Sequence, residues 1–146
     1  MRHGSIARRT TAAGTGTPAF EMIADNPTGC RLMQMQITLA AATASTYGLG
    51  RPAAKGVDPT TPVAVLDMLS ANANVFLTKT ALAWTTTAPT IPSQFFRRVS
   101  FPAVITSQIL WIFEHGLYIP PGGTLVLWNL AINGVVDVSI DVEEYI

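Results

Sequence analysis

The sequence predicts an all-β protein, a jelly-roll-like antiparallel β-sandwich of about seven to eight strands with a flexible N-terminal arm. Three observations support this prediction. Apolar and polar residues alternate in several short runs, Pro and Gly separate these runs, and β-branched residues are frequent within them. The 146 residues are enough for one domain with its own core.

The arm is expected to comprise residues 1–17, and the β-sandwich residues 18–146. Arg2, Arg8 and Arg9 precede a segment rich in Thr, Ala and Gly that has no periodicity and almost nothing to bury. Such a composition cannot form a core by itself, so we expect disorder in isolation. No apolar segment follows the basic residues, and the pattern therefore does not predict a signal peptide.

The first strands are expected directly after the arm. Residues 20–25 alternate and end at the turn sequence Asn-Pro-Thr-Gly of residues 26–29. Residues 32–39 also alternate, which predicts a strand with its odd-numbered side chains on the buried face. Residues 43–62 contain six Gly and Pro and are interpreted as a long loop, a feature often found at functional or contact surfaces. Residues 63–71 are ambiguous between helix and strand, and strand or turn is favoured.

The second half of the chain predicts further strands. Residues 75–87 place Phe76, Thr78, Thr80, Leu82, Trp84 and Thr86 on one face. Residues 95–101 and 107–114 predict two more strands.

The C-terminal region contains the clearest turn signals. Pro120-Pro121-Gly122-Gly123 requires a turn because Pro lacks the ladder donor and Gly permits positive φ. A strand over residues 124–131 and a hairpin turn at Asn133-Gly134 are expected to follow. Residues 135–146 then form the last strand, in which the inward residues are Val136, Val138, Ile140 and Val142.

The composition predicts contact with other protein. Apolar residues make up 49% and charged residues 12% of the chain, about half the usual charged share. We expect the apolar surplus to face other copies of the chain in a cyclic homo-oligomer, and the expected oligomer is a trimer. The alternative is that it faces another protein. The apolar stretches at 99–113 and 125–136 are interrupted by polar residues, so no membrane partner is expected.

Charges are segregated along the chain. Residues 1–101 hold all nine Lys and Arg with four acids, whereas residues 102–146 hold five acids and no base. Folding either mixes these two regions into a surface of mixed charge or leaves two faces of opposite charge. The candidate assembly residues are the arm's Arg2, Arg8 and Arg9, which are expected to meet Asp137, Asp141 and Glu143 of a neighbouring subunit or an acidic patch on an underlying shell. The alternative is that residues 1–17 are a disordered tail with no role in assembly.

The sequence contains few groups for chemistry, and we predict no enzyme and no cofactor. Cys30 is the only cysteine and is expected to be a small buried hydrophobe, while a structural role is expected for His115. The clustered acids Asp137, Asp141, Glu143 and Glu144 could suggest calcium. Asp137, Asp141 and Glu143, however, have the spacing of a solvated strand face and lack a loop that would surround an ion. Arg97-Arg98 beside Phe95-Phe96 is a weak signal, so no direct nucleic-acid binding is expected.

The run Gly-Leu-Tyr-Ile-Pro-Pro-Gly-Gly-Thr-Leu-Val-Leu-Trp-Asn at residues 116–129 resembles a motif near the C-terminus of small virion proteins of tailed bacteriophages. In those proteins a similar turn feeds an apolar strand, and a last strand ending in acids follows, as at residues 138–144 here. The resemblance implies a jelly roll, commonly trimeric, that decorates or cements a capsid. The implied partner is the major capsid protein, and the implied location is the capsid surface of a virion made in the host cytoplasm.

Two other interpretations remain open at this point. In the first interpretation the chain is a neck, tail or fibre-base component of a phage particle. In the second it is a carbohydrate-binding jelly-roll module. Trp84, Trp111 and Trp128 could stack on sugars, although each lies in a strand pattern that favours core packing.

Overall fold

The computed structural model describes residues 1–69 and 76–145, and these contain thirteen strands and no helix. The strands are β1 (Arg2–Arg9), β2 (Pro18–Ala24), β3 (Cys30–Leu39), β4 (Ser45–Gly50), β5 (Val57–Pro59), β6 (Val63–Ala64), β7 (Leu66–Asp67), β8 (Thr78–Ala81), β9 (Trp84–Thr87), β10 (Arg97–Phe101), β11 (Gln108–Ile119), β12 (Thr124–Asn129) and β13 (Val136–Glu144).

These strands form a sandwich of antiparallel sheets, which confirms the predicted fold class. One sheet has the order β11-β3-β13-β1-β7 and the other the order β10-β4-β12-β2-β8-β6, while β5 and β9 form a separate two-stranded ribbon. Their inward side chains make one hydrophobic core that includes Phe20, Met35, Tyr47 and Ile140. The strand number exceeds the expected seven to eight because short strands occupy much of residues 43–87.

The last strand has the predicted register. Val136, Val138, Ile140 and Val142 are at most 1% exposed, and the residues between them are half-buried. The neighbouring β3 follows its prediction from residue 35 onward only. A bulge at Met33 interrupts the pairing with β13, so that Leu32 is buried and Met33 is half-buried.

The N-terminal segment differs from the predicted flexible arm. Residues 2–9 form β1, which pairs along its whole length with residues 137–144 of β13 and at Gly4 and Ser5 with β7. A side chain at Gly4 would meet Val65 and Phe76 within 2.8 Å, so the missing Cβ lets the strand approach the core. The prediction was wrong because the edge of β13, not the local composition, supplies the partners that order this segment.

The remaining arm residues are also attached to the sandwich. The backbone N–H of Thr10 donates to Val136 O at 2.9 Å, and Ala13 forms a bridge with Asn133. The N–H of Gly16 donates to Asn129 O at 2.7 Å. Residues 1–17 are therefore part of the same sandwich.

The predicted loop at residues 43–62 is wrong for its first part. β4 lies between β10 and β12 in the six-stranded sheet, and its Tyr47 and Leu49 are fully buried. Gly48 is a packing residue here, because a Cβ would meet Phe95 and Leu130 at 2.9 and 2.8 Å. A glycine that permits close packing has the same sequence signal as one that permits a turn.

The predicted hairpin at Asn133-Gly134 is also wrong, because β12 and β13 belong to different sheets and these residues connect them. Asn133 is buried; its side chain accepts from Thr46 N at 3.0 Å and donates to Thr46 O at 2.6 Å. These bonds fix the crossover against β4.

Two other predicted elements have different bounds. β11 continues past an irregularity between Ile112 and Leu117 to Ile119, which leaves residues 120–123 as the turn. The strand predicted for residues 75–87 is divided into β8 and β9, and its residue 75 lies outside the described residues.

Candidate assembly surface

The outer face of the five-stranded sheet brings several of the predicted site residues together. The register aligns outward residues of β11, β3, β13 and β1 in rows. The rows are Gln108–Thr38–Asp137–Arg9, Leu110–Gln36–Ser139–Ala7, Ile112–Gln34–Asp141–Ser5 and Tyr118–Arg31–Glu143–His3. The middle of this face is dominated by amide and hydroxyl groups, which suit close contact with another polar protein surface.

Arg9 and Asp137 form the strongest ion pair on this face. The Arg9 Nε and Nη2 groups donate to the two carboxylate oxygens of Asp137 at 2.7 and 2.9 Å. The hydrogen bond from Arg9 lowers the pKa of Asp137. His3 Nδ1 lies 3.5 Å from the Glu143 carboxylate in the same strand pair. The predicted contact between the basic segment and the acidic strand therefore exists within one chain.

The other predicted residues have separate environments. Arg8 extends to the opposite sheet and donates to the carbonyl and hydroxyl oxygens of Thr80 at 3.2 and 3.3 Å, and burial lowers its pKa. Asp141 accepts a hydrogen bond from the side-chain amide of Gln34. Arg2 is paired with Glu144 in the strand register. The structure thus joins Arg9 to an outward acid, whereas Arg8 is directed to the opposite sheet.

Glu144 lies apart from the outward acids of β13. It is 2% exposed and points inward at the end of β13. Its carboxylate accepts from the backbone N–H of Leu77 and from both the N–H and the hydroxyl of Thr78, at 2.8 to 3.2 Å. This residue connects the two sheets.

Exposed apolar side chains lie at both lateral edges of the five-stranded sheet. Leu110 and Ile112 of β11 are 48% and 64% exposed, and Leu66 of β7 is 65% exposed. Loop residues extend both patches: Val104 and Ile105 before β11, and Met68 and Leu69 after β7. Edge strands of monomeric proteins usually carry charges that prevent pairing with other chains. Apolar edges are typical of surfaces that contact protein.

Arginine side chains contact aromatic rings along β11 and around β10. Four guanidinium groups lie 5.0 to 5.8 Å from ring centroids. The pairs are Arg31–Tyr118, Arg51–Phe96, Arg97–Phe113 and Arg98–Phe95. The sequence indicated the Arg97-Arg98 part of this cluster, but Arg31, Arg51 and Phe113 join it through tertiary structure.

The residues considered for chemistry are dispersed. Cys30 is fully buried, as predicted, and burial raises its pKa to about 11, which disfavours the nucleophilic thiolate. His115 is exposed. Within the described residues no group of three or more His, Cys, Asp and Glu could hold a metal ion. Trp111 and Trp128 are buried, which confirms core packing for both, whereas Trp84 is half-buried.

Comparisons with known proteins give no match: no family model, no curated protein and no solved structure is similar to the chain. Within residues 1–69 and 76–145 no helix has the length and apolar character needed to span a membrane.

Proposed function

We propose that the chain is a structural virion protein, a capsid decoration or cement protein of a bacteriophage head that acts as a cyclic homo-oligomer, a trimer. The observation that carries this proposal is the pair of apolar edges, Leu110 and Ile112 on β11 and Leu66 on β7, at opposite sides of one polar sheet face. A protein of this class needs contact surfaces rather than reactive groups.

A second copy of the chain is the partner that best fits these edges. The two edges are different surfaces, and contact of β11 in one subunit with β7 in the next is a heterologous interface that a rotation can close into a ring. Burial of the exposed Leu and Ile side chains would stabilise each contact by about 25 cal/mol per Å².

The strand order supports the jelly-roll class. β12, late in the chain, lies between β2 and β4, and β10 pairs with the other side of β4. β11 returns to pair with β3 in the facing sheet. This interleaving of early and late strands is typical of Greek-key sandwiches. The Pro-Pro-Gly-Gly turn that carries the resemblance to phage virion proteins connects β11 to β12 across the two sheets.

The outer face of the five-stranded sheet fits a capsid shell as its partner. Its central Gln, Ser and Thr side chains offer neutral hydrogen-bonding groups without a large desolvation penalty. Repeated weak contacts from each subunit of a ring would add up to firm attachment. We accordingly place the protein on the capsid surface of a virion assembled in the host cytoplasm.

Particle binding and stoichiometry test this proposal. Purified protein is added to phage heads that lack it, and bound copies are counted by quantitative mass spectrometry and located in a particle reconstruction. A decoration protein is expected to bind in proportion to the major capsid protein and to raise the disruption temperature of the shell.

A different stoichiometry would identify the rival virion roles. One ring per particle would assign the protein to the neck, tail or fibre base, and would overturn the decoration role. Absence from particles altogether would overturn both.

A further inference from the structure

A cleft lies on the side of the molecule away from the five-stranded sheet. The ribbon of β5 and β9 folds over the outward residues of β2, and the space between them has a volume of about 430 Å³. This volume is in the range of small-molecule sites. One wall is formed by the segment around Val57 that the sequence presents as a long Gly- and Pro-rich loop.

The floor of the cleft contains a buried carboxylate that is only half satisfied. Glu21 is 1% exposed; its Oε1 accepts a hydrogen bond from the Trp84 indole N–H at 2.9 Å, whereas its Oε2 has no partner. The buried hydroxyl of Thr124, next to Ile23 on the paired strand, approaches the Glu21 carboxylate closely enough to favour its charged form, but no atom of the described residues lies in hydrogen-bonding geometry to that hydroxyl. Burial raises the pKa of Glu21, which Trp84, Thr124 and Lys55 partly oppose. Buried polar atoms without partners are uncommon and need an explanation.

The charges around the cleft restrict the class of ligand. Glu21, Asp25 and Asp58 line it together with Lys55 and Lys79. Lys79 Nζ lies 3.2 Å from the Asp25 carboxylate, and Asp58 accepts a hydrogen bond from the Thr86 hydroxyl at 3.0 Å. Lys55 Nζ donates to Gly122 O at 2.8 Å. Because these charges have partners within the protein, neither an anion nor an organic cation is strongly favoured. The described residues contain no cluster suited to a metal ion. A neutral ligand that both donates and accepts hydrogen bonds remains.

We propose that this cleft binds a neutral saccharide of one or two rings. A sugar hydroxyl would donate to Glu21 Oε2, while Lys55 and Lys79 would donate to other hydroxyl oxygens. The apolar side chains of Ile23 and Val57 in the lining would contact the C–H face of the ring. This inference is independent of the assembly proposal, since the cleft and the apolar edges of the five-stranded sheet share no residue.

Titration calorimetry on the full-length protein with D-glucose, D-galactose, D-mannose, N-acetyl-D-glucosamine and their neutral disaccharides tests the proposal. Glu21→Gln keeps an acceptor for Trp84 but places a donor at the position of Oε2. We expect it to weaken binding by at least about tenfold, the effect of losing a hydrogen bond to a charged group. Glu114→Gln, the same change at an exposed site on β11, is the matched control and should bind like the native protein.

A second variant keeps the test decisive if Glu21→Gln fails to fold. Val57→Trp adds bulk to the cleft wall at a residue that is 47% exposed, and it should abolish binding without unfolding the protein. The proposal is overturned if no saccharide of the panel binds the native protein. It is also overturned if the folded cleft variants bind as tightly as the Glu114→Gln control.

Discussion

Buried polar side chains fix the points at which distant strands meet. Glu144 ends the last strand of one sheet and accepts hydrogen bonds from Leu77 and Thr78 at the start of β8 in the other. Asn133 holds the β12–β13 crossover against Thr46 in the same manner. Each of these residues has the sequence signature of a surface or turn position, and its structural role comes entirely from partners far along the chain.

The Glu144 connection leads to a first prediction. Glu144→Gln replaces one acceptor oxygen with an amide that faces N–H and hydroxyl donors, so we expect a loss of about 1–3 kcal/mol in the free energy of unfolding. Chemical denaturation monitored by tryptophan fluorescence measures it. The control is Glu143→Gln on the adjacent outward position, which should change stability little. Equal effects of the two changes would show that Glu144 does not connect the sheets.

The register of the last strand gives a second prediction. Val138 is fully buried, and Val138→Asp would place an unpaired charge in the core, at a loss of about 4 kcal/mol or more. Ser139 points outward between Gln36 and Ala7, so Ser139→Asp should be nearly neutral. Soluble yield and melting temperature of the two variants measure the difference. Similar tolerance of both would contradict the assigned register.

Cys30 and Tyr47 give a third prediction, for alkaline pH. Burial raises the pKa of Cys30 from 9.0 to about 11 and that of Tyr47 from 10.0 to about 12. Between the unfolded-state and the folded-state pKa of each group, the unfolded chain has released a proton that the folded protein retains. The free energy of unfolding is therefore unaffected below pH 9 and falls as the pH rises toward 11. The fall is about 1.4 kcal/mol per pH unit for each group that titrates.

Denaturation midpoints across an alkaline pH series measure this fall. Cys30→Ala should delay its onset toward pH 10, where Tyr47 begins to contribute. The slope of the series, rather than the absolute stability, is compared, because the substitution also removes packing. An unchanged onset in Cys30→Ala would show that the thiol is not responsible.

At the scale of elements, β1 stabilises the sandwich through its backbone rather than its charges. It pairs with β13 along eight residues and buries Ile6 against the core, whereas the Arg9–Asp137 ion pair is largely exposed. Without β1, the long strand β13 would become an unprotected edge. The strand is thus an integral part of the sheet although its sequence contains one large buried apolar residue.

Deletion of residues 2–9 tests this role as the fourth prediction. The loss of Ile6 burial and of the ladder to β13 should lower the free energy of unfolding by at least about 3 kcal/mol and promote aggregation. Thermal unfolding and light scattering measure both effects. Arg9→Ala removes the ion pair alone and should leave the melting temperature nearly unchanged. If residues 2–9 were a flexible arm, neither the deletion nor Arg9→Ala would change the melting temperature.

Elements with a one-sided pattern are the part of the fold that the sequence predicts well. The last strand and the second half of β3 alternate because one face is buried and the other is not. β1 and β4 were missed because glycines at 4, 48 and 50 let them pack closely, which looks like loop composition. The Asn133-Gly134 hairpin was predicted wrongly because the signal specifies a turn and not the sheet that the chain enters next.

The candidate site was predictable to a similar extent. Arg9 and Asp137 were identified from charge, and the structure joins them; their partnership within one chain could not be read from composition. The apolar edges were not identified, because Leu110 and Ile112 alternate with core residues in an almost uniformly apolar strand. Glu21 was not identified, since the ribbon that covers it comes from residues 57–59 and 84–87.

At the scale of the whole molecule, folding partly mixes the two oppositely charged halves of the chain. The acidic β13 lies between β3 and β1, where Arg9 pairs with one of its acids. Four arginines nevertheless contact aromatic rings, and one of these pairs, Arg97–Phe113, joins β10 to β11. The molecule therefore has exposed Leu and Ile at the β11 edge and a different apolar edge at β7, the two surfaces that the proposed ring would bring together.

The fifth prediction concerns this assembly. Ile112 is 64% exposed in the single chain, so Ile112→Asp should leave the subunit folded but place a charge in the contact between subunits. Multi-angle light scattering should show a homo-oligomer for the native protein at micromolar concentration and a monomer for the variant, with the same melting profile for the dissociated subunits. Ile132→Asp is the matched control, since Ile132 is 79% exposed and lies in the β12–β13 connection rather than on β11 or β7. It should remain assembled. A native protein that is monomeric at this concentration would contradict self-assembly itself. Assembly of the Ile112→Asp protein would instead retain the oligomer and exclude β11 as its contact.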